Sequence, residues 1–188
     1  MSNVAIIVGN GKSREEIDLN TLVGQGTIYG TNALYRDFAG WDYLVAIDDR
    51  MIDEIKTTSM RLAGQAIFPP EKERYEETTG RRGNAGMCAM REAIRNGADI
   101  LYCIGFDFIL AGADSVLNVY GGSKNYEPQT QEGLMEAGFH RLQYLEWFAM
   151  QNPDVQFVFV FPDKGQVKPI EAPNVIGMQM STFKYKTK

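Results

Sequence analysis

The sequence predicts an α/β fold built on an open, mainly parallel sheet flanked by helices. Three observations carry that expectation. Short continuous apolar runs alternate with helical stretches, each clear run ends in small or polar residues, and the first of those ends is a Gly-Asn-Gly turn. A Rossmann-like architecture in a single domain spanning 1–188 follows, because a chain of 188 residues suffices for one substantial core and is short for two.

Val4 to Val8 is an apolar run suited to a central parallel strand. It ends in Gly9-Asn10-Gly11, and Ser13 with Glu16 three residues on reads as a capping box for a short helix. Thr27 to Gly30 is the second strand, running into Thr31-Asn32, after which Ala33, Leu34 and Phe38 mark a helical stripe. Tyr43 to Ile47 is the third strand and closes on Asp48-Asp49, and Gln65 to Phe68 is a short strand before Pro69-Pro70. Glu71 to Arg82 is charged, poor in aliphatic residues and without a stripe, which predicts a mobile loop.

From Asn84 the pattern turns helical, with Met87, Met90, Ala93 and Ile94 on one side and Asn96-Gly97 as the stop signal. Ile100 to Ile104 follows as a buried strand leading into Gly105-Phe106-Asp107-Phe108. The stretch from Ala111 to Gln131 carries turn residues but little apolar content, and reads as a long loop and a lid-like insertion. Leu134 to Met150 reads as an amphipathic helix and Gln156 to Phe161 as the last clear core strand. In the tail from Lys164, Val175 to Met178 fits an edge strand.

Composition narrows the function classes. A net charge of -5 argues against a general binder of nucleic acid or anionic membrane, so an anionic ligand must be held locally. Cys88 and Cys103 fall within a helix and a strand, without metal-ligand spacing, which predicts reduced buried thiols and a cytoplasmic location. No apolar run approaches the roughly 20 residues of a membrane span. Oligomeric state is left open, a homo-oligomer included.

The chemistry is expected beyond the carboxyl ends of the strands, where ligands bind in an open parallel sheet. At Gly9-Asn10-Gly11 glycine permits close approach, and free N–H groups at a following helix N-terminus attract an anion, most often a phosphate. Two standard phosphate loops are excluded. A P-loop needs a Gly five positions before Gly11, where Ile6 stands, and the dinucleotide fingerprint needs a third Gly where Arg14 stands. Asn32 offers donors and an acceptor suited to a base or ribose, while Asp107, following Gly105, accepts from a ribose hydroxyl or holds a metal. Asp48-Asp49 reads either as a metal-holding acidic pair or as the cap of a helix starting near Met51. His140, the only histidine, lies inside the long helix and reads as a packing or surface residue. Tyr120, Lys124 and Tyr126 in the insertion are candidates to donate to a leaving phosphate, and Asp107 and Asp114 are the first carboxylate candidates for a general base.

The run VAIIVGNGKSREEIDLNTL, Val4 to Leu22, resembles the opening of the bacterial sialyltransferases that use CMP-sialic acid, with an apolar strand, Gly-Asn-Gly-Pro-Ser-Leu and a Glu-Ile-Asp run. The resemblance returns at Asn32. It appears again over Asn84 to Phe108, where NAGMCAMREAIRNGADILYCIGFDF lines up without a gap on the family's Thr-Ser-Gly, helix, Gly, strand and Gly-Ile-Asp-Phe. The same elements occur in a wider group that includes archaeal-type diphosphokinases acting on hydroxymethyl-dihydropterin. The resemblance implies that Asn10 and Asn32 hold the ribose, phosphate or base of a nucleotide, that Asn84, Ala85 and Gly86 lie beside it, and that Asp107 binds ribose or orders the floor. It further implies a glycosyltransferase taking a nucleotide sugar and a small-molecule or glycan acceptor. The alternatives are a Mg²⁺-dependent diphosphokinase and a nucleotide-binding module without catalysis. Several family positions differ here: the phosphate-contacting Ser is Ala85, the Tyr after Gly-Ile-Asp-Phe is Ile109, Tyr120 is a displaced substitute for the second lid Tyr, and the base His precedes the long helix rather than lying within it.

Overall fold

The structure is a computed structural model that describes residues 2–58, 64–76, 81–82, 84–111, 117–128 and 131–186. Seven parallel strands form its sheet: β1 (Val4–Val8), β2 (Thr27–Thr31), β3 (Tyr43–Val45), β4 (Gln65–Ile67), β7 (Ile100–Ile104), β8 (Gln156–Phe161) and β9 (Val175–Gln179), in the order β4-β3-β2-β1-β7-β8-β9. The two remaining strands, β5 (Tyr75–Glu76) and β6 (Arg81–Arg82), form a separate antiparallel pair. The chain thus builds outward from β1 in one direction through β4, then returns to the other side of β1 with β7. That reversal makes the β1/β7 boundary the topological switch point, where the connections leaving the two strands diverge and open a crevice.

Alternation along the strands explains why helices cover both faces. Ala5 and Ile7 face one side and Ile6 and Val8 the other, since successive strand residues point to opposite faces. On the first face, α3 (Ala85–Arg95) and α4 (Gln131–Met150) pack Met87, Met90, Tyr144, Leu145 and Phe148 onto Ile7, Leu101, Phe157 and Phe159. On the second, α1 (Asp49–Thr57), α5 (Met180–Lys186) and the 3-10 turn Asn32–Arg36 bring Ile52, Ile55, Phe183 and Leu34 onto Ile6, Val8, Ile28 and Val160. Buried on both faces, the central strands need the uniform apolar runs the sequence shows. Cys88 and Cys103 are free and buried, and burial pushes the Cys88 thiol up to about 11 and the Cys103 thiol well above its ordinary value, so both are unreactive packing residues. Among the described residues no helix is long and apolar enough to cross a membrane.

Strands β7 and β8 match the expected spans, and β9 confirms the edge strand, extended to Gln179. Other expectations are corrected. Within Glu71 to Arg82, the described residues form a helical turn, α2 (Glu71–Arg74), and the β5–β6 pair rather than a loop without structure. Polar contacts fasten it: Arg95 bonds the Glu73 carboxylate at 2.8 Å, Arg91 bonds the Glu73 carbonyl at 2.6 Å and Arg74 bonds the Ile47 carbonyl at 2.8 Å. Apolar periodicity carries no trace of such fastening. The long helix α4 starts at Gln131, not Leu134, because its first turn lacks the apolar stripe used to find it. Residues 117–128 of the expected lid lie fastened along the carboxyl edge of the sheet as a strap.

Candidate functional site

The crevice at the β1/β7 switch point is walled by the ends of β1, β2 and β7, the N-terminus of α3, the start of the strap and one side chain of α4. Its lining includes Gly9, Asn10, Gly11, Asn32, Asn84, Ala85, Gly86, Gly105 and Asp107, residues that lie far apart in sequence and were expected at a nucleotide site. Asp48 is elsewhere. It lines a second, separate hollow with Asp49, Arg50, Met51, Asn125 and Tyr126, at the N-terminus of α1.

The glycines act first on the protein itself. The Gly9 N–H donates to the Ile104 carbonyl and the Gly11 N–H to the Gly105 carbonyl, each at 2.8 Å, so the turns after β1 and β7 are laced together. A Cβ on Gly11 would stand 2.6 Å from both the Asp107 Cγ and the Gly105 carbonyl oxygen. Gly105 has φ +74, a backbone that side chains disfavour. The close approach that these two positions demand is therefore that of one turn to the other.

Asp107 forms the bolt of that lacing. Its carboxylate accepts from the Ser13 N–H at 2.9 Å and from the Ser13 hydroxyl, and it is 5 % exposed. Burial raises its pKa, and the bonds from Ser13 and the Lys12 backbone oppose that rise. The capping box is corrected accordingly: Gly11, not Ser13, occupies the N-cap of the 3-10 turn Lys12–Glu16, and Asp107 from the next strand takes the Ser13 donors instead. With both oxygens engaged, Asp107 orders the floor of the crevice and is poorly placed to be the general base.

Asparagines supply the open polar chemistry. Asn10 is 9 % exposed, and its Nδ2 donates to the Thr31 carbonyl at 3.1 Å, while its Oδ1 meets no hydrogen-bond partner among the described residues. Asn32 adopts φ 47, a left-handed conformation that asparagine tolerates better than most residues, and its Oδ1 is likewise buried without a partner. The neighbouring Tyr126 hydroxyl sits close to the Asn32 amide and the Ala33 backbone without completing a hydrogen bond, and burial raises its pKa to about 12. Asn84 caps α3 by accepting from the Met87 N–H at 3.0 Å, which leaves the first-turn N–H groups of an 11-residue helix at the crevice wall.

Arg141 went unread in the sequence. It follows His140 on α4, lines the crevice and keeps much of its surface exposed, while burial of its guanidinium end lowers its pKa. The only sequence signal was its adjacency to His140, whose ring instead stands against Phe139 at 5.9 Å between centroids. Asn118 and Leu117 of the strap were missed as well. An antiparallel bridge between Gly11 and Asn118, with the Val119 N–H donating to the Asn10 carbonyl at 2.9 Å, brings them to the wall.

Tyr120 is not placed to meet a leaving phosphate. Its hydroxyl is held between Asp37, at 2.6 Å, and Arg14, at 2.7 Å, and burial with the Asp37 contact raises its pKa. Asp114 lies outside the described residues. Asp49 pairs with Arg74 at 3.0 Å, and among the described residues no group of three or more His, Cys, Asp or Glu side chains is placed to hold a metal ion. Asp48 and Asp49 thus offer a poor cradle for Mg²⁺, and the diphosphokinase alternative gains no support from them. No protein-family model matches the chain, and no curated protein aligns with it significantly.

Proposed function

We propose that the chain binds a nucleotide across the β1/β7 crevice and acts as a small sialyltransferase-like glycosyltransferase taking a CMP-type sugar donor. The observation that carries the reading is the convergence in one crevice of a buried Asn10 Oδ1 without a partner among the described residues, the N-terminus of α3 and the Arg141 guanidinium. A helix N-terminus and a guanidinium favour an anion, and amide oxygens favour a neutral group bearing donors, which together describe a nucleoside phosphate. During transfer an acceptor oxygen would bond to the anomeric carbon as the bond from that carbon to the phosphate oxygen breaks, its electron pair leaving with the phosphate. In this reading Arg141 and the α3 N–H groups, which line the crevice, would stabilise that growing charge. In this reading the acceptor proton leaves through the departing phosphate or solvent, since Asp107 is committed to Ser13. The engagement of Asp107 and Tyr120 is also what favours the second reading, a nucleotide-binding module without catalysis.

A thermal-shift panel with CMP, UDP, GDP and ATP, each with and without Mg²⁺, tests the proposal. Stabilisation by CMP without metal, followed by release of CMP from a CMP-sugar, is the expected result. Binding without turnover of any donor would leave the module reading, and stabilisation by ATP only with Mg²⁺ would replace both.

A further inference from the structure

The two edges of the sheet are protected unequally. At one edge β4 is 3 residues long and Pro69-Pro70 follow it closely, and a short strand next to proline is a common way of blunting an edge. At the other, β9 is 5 residues long and carries no proline or charge, and Ile176 is 39 % exposed beside exposed Gly177.

Hydrogen bonding shows which groups of β9 face outward. The Phe157 N–H donates to the Asn174 carbonyl, and β9 pairs with β8 in parallel register from Phe157 with Val175 to Phe161 with Gln179. Alternate residues of a parallel strand turn both backbone groups to the same neighbour, so Ile176 and Met178 bond β8 while Val175, Gly177 and Gln179 turn theirs away from the sheet. The Val175 N–H is used locally by the Ala172 carbonyl, and among the described residues nothing takes the Gly177 N–H or carbonyl.

These outward groups are self-complementary. Set antiparallel about a two-fold axis at Gly177, two copies exchange their Gly177 N–H and carbonyl bonds, and each Gln179 N–H reaches the other copy's Val175 carbonyl. The same register brings Ile176 of one copy opposite Met178 of the other on one face of the sheet, which covers Ile176. Charge agrees with it. Residues 172–181 carry none, and the first charged residues beyond them are Glu171 on one side and Lys184 on the other, so the axis sets an acidic end against a basic one. Asp163, at the carboxyl end, accepts from the Ser181 N–H at 2.9 Å and is followed by Lys164, which offsets it. An edge of 5 residues falls below the roughly 1,200 Å² at which stable interfaces begin, so the pairing belongs with weak, reversible associations.

We infer that β9 pairs with β9 of a second copy, antiparallel about Gly177, and so joins the sheets of two chains into one. Sedimentation velocity on the full chain, from about 5 to about 500 µM, should show monomer passing into dimer. Over the same range amide exchange of Gly177 should slow about threefold or more, whereas that of Ala66, which faces outward from β4, should not change. Ile176→Lys sets a charge against Met178 from an exposed position, so this variant should fold and dimerise about tenfold more weakly. Gly177 itself is kept, since a Cβ there would stand 2.9 Å from the Phe161 ring. Should the variant fail to fold, the wild-type exchange of Gly177 decides alone. A Gly177 amide whose exchange ignores concentration, whether the chain stays monomeric or dimerises elsewhere, would overturn the inference, and so would an Ile176→Lys chain that dimerises as tightly as wild type.

Discussion

Two polar clusters sit along the same edge of the sheet, and they are built on opposite rules. In the clasp that fastens the strap, every charge has an answer: Arg36 bonds Glu54 at 2.6 and 3.0 Å, Ser123 at 3.1 Å and the Lys124 carbonyl at 2.9 Å. Glu54 also accepts from Tyr35 and from Asn125, and the Arg36 guanidinium lies 5.6 and 5.9 Å from the ring centres of Tyr120 and Tyr126. The crevice buries amide oxygens too, yet leaves Asn10 Oδ1 and Asn32 Oδ1 unanswered among the described residues. An unpaired buried polar atom costs about 1–3 kcal/mol, so pairing the carboxylate and guanidinium of one cluster while both amide oxygens of its neighbour stay open among the described residues is what the proposed nucleotide site would require.

The largest way to break that contrast is Gly11→Ala. Its Cβ would collide with Asp107 and the Gly105 carbonyl, unlacing the two turns. A loss of stability at the upper end of about 1–3 kcal/mol is expected, together with loss of nucleotide binding, read by denaturant titration and calorimetry. Arg141→Ala should keep the fold and weaken nucleotide binding about tenfold, or about 1.5 kcal/mol, the lower end for a hydrogen bond to a charged group because the residue is well exposed.

Glu54→Gln sharpens the other side. Burial tends to raise the Glu54 pKa, but the bonds from Tyr35 and Arg36 outweigh it, and the net effect is a pKa below the ordinary value. A depressed carboxylate stabilises the folded state above its unfolded pKa, and that contribution is lost as pH falls through the lower folded pKa. Wild type should lose clasp stability in acid, below about pH 4.5, while Glu54→Gln should be weaker by about 1 kcal/mol at neutral pH and lack that acid step. Urea titrations across pH read both. The smallest effect is expected from His140→Asn, which should leave kcat within about threefold in any transferase assay that gives turnover. A loss of about a hundredfold, the size of a removed general base, would contradict the placement of His140 outside the crevice.

The same contrast explains what the sequence could and could not reveal. Strands β1, β7 and β8 are apolar on both faces and stand out as runs, and the residues at their ends are fixed by counting. That sufficed to bring Gly9, Asn10, Asn32 and Asp107 together in expectation, whereas Asn84 was expected there only through the family resemblance. Partnerships across long separations left no local trace: Ser13 with Asp107, Gly11 with Asn118 and Arg36 with Glu54 join segments that no periodicity connects. Ser13 read as a cap because its local pattern is a cap's, and a carboxylate from another strand won the competition for its donors. Tyr120 read as a lid residue because a loop without apolar content looks free, whereas this one is held by Asp37 and Arg14. Arg141 brings a positive charge to the crevice from a helix position marked in the sequence only by its adjacency to His140.

The most direct test of the central claim is a titration of the isotopically labelled protein with CMP, followed by amide and asparagine side-chain NMR signals. Shifts concentrated on Gly9–Gly11, the Asn10 side-chain amide, Asn32 and the Ala85 and Gly86 N–H groups, with the Glu54–Arg36 clasp unmoved, are the predicted result. Shifts confined to Asp48–Met51 and Tyr126, or none at millimolar CMP, would contradict it.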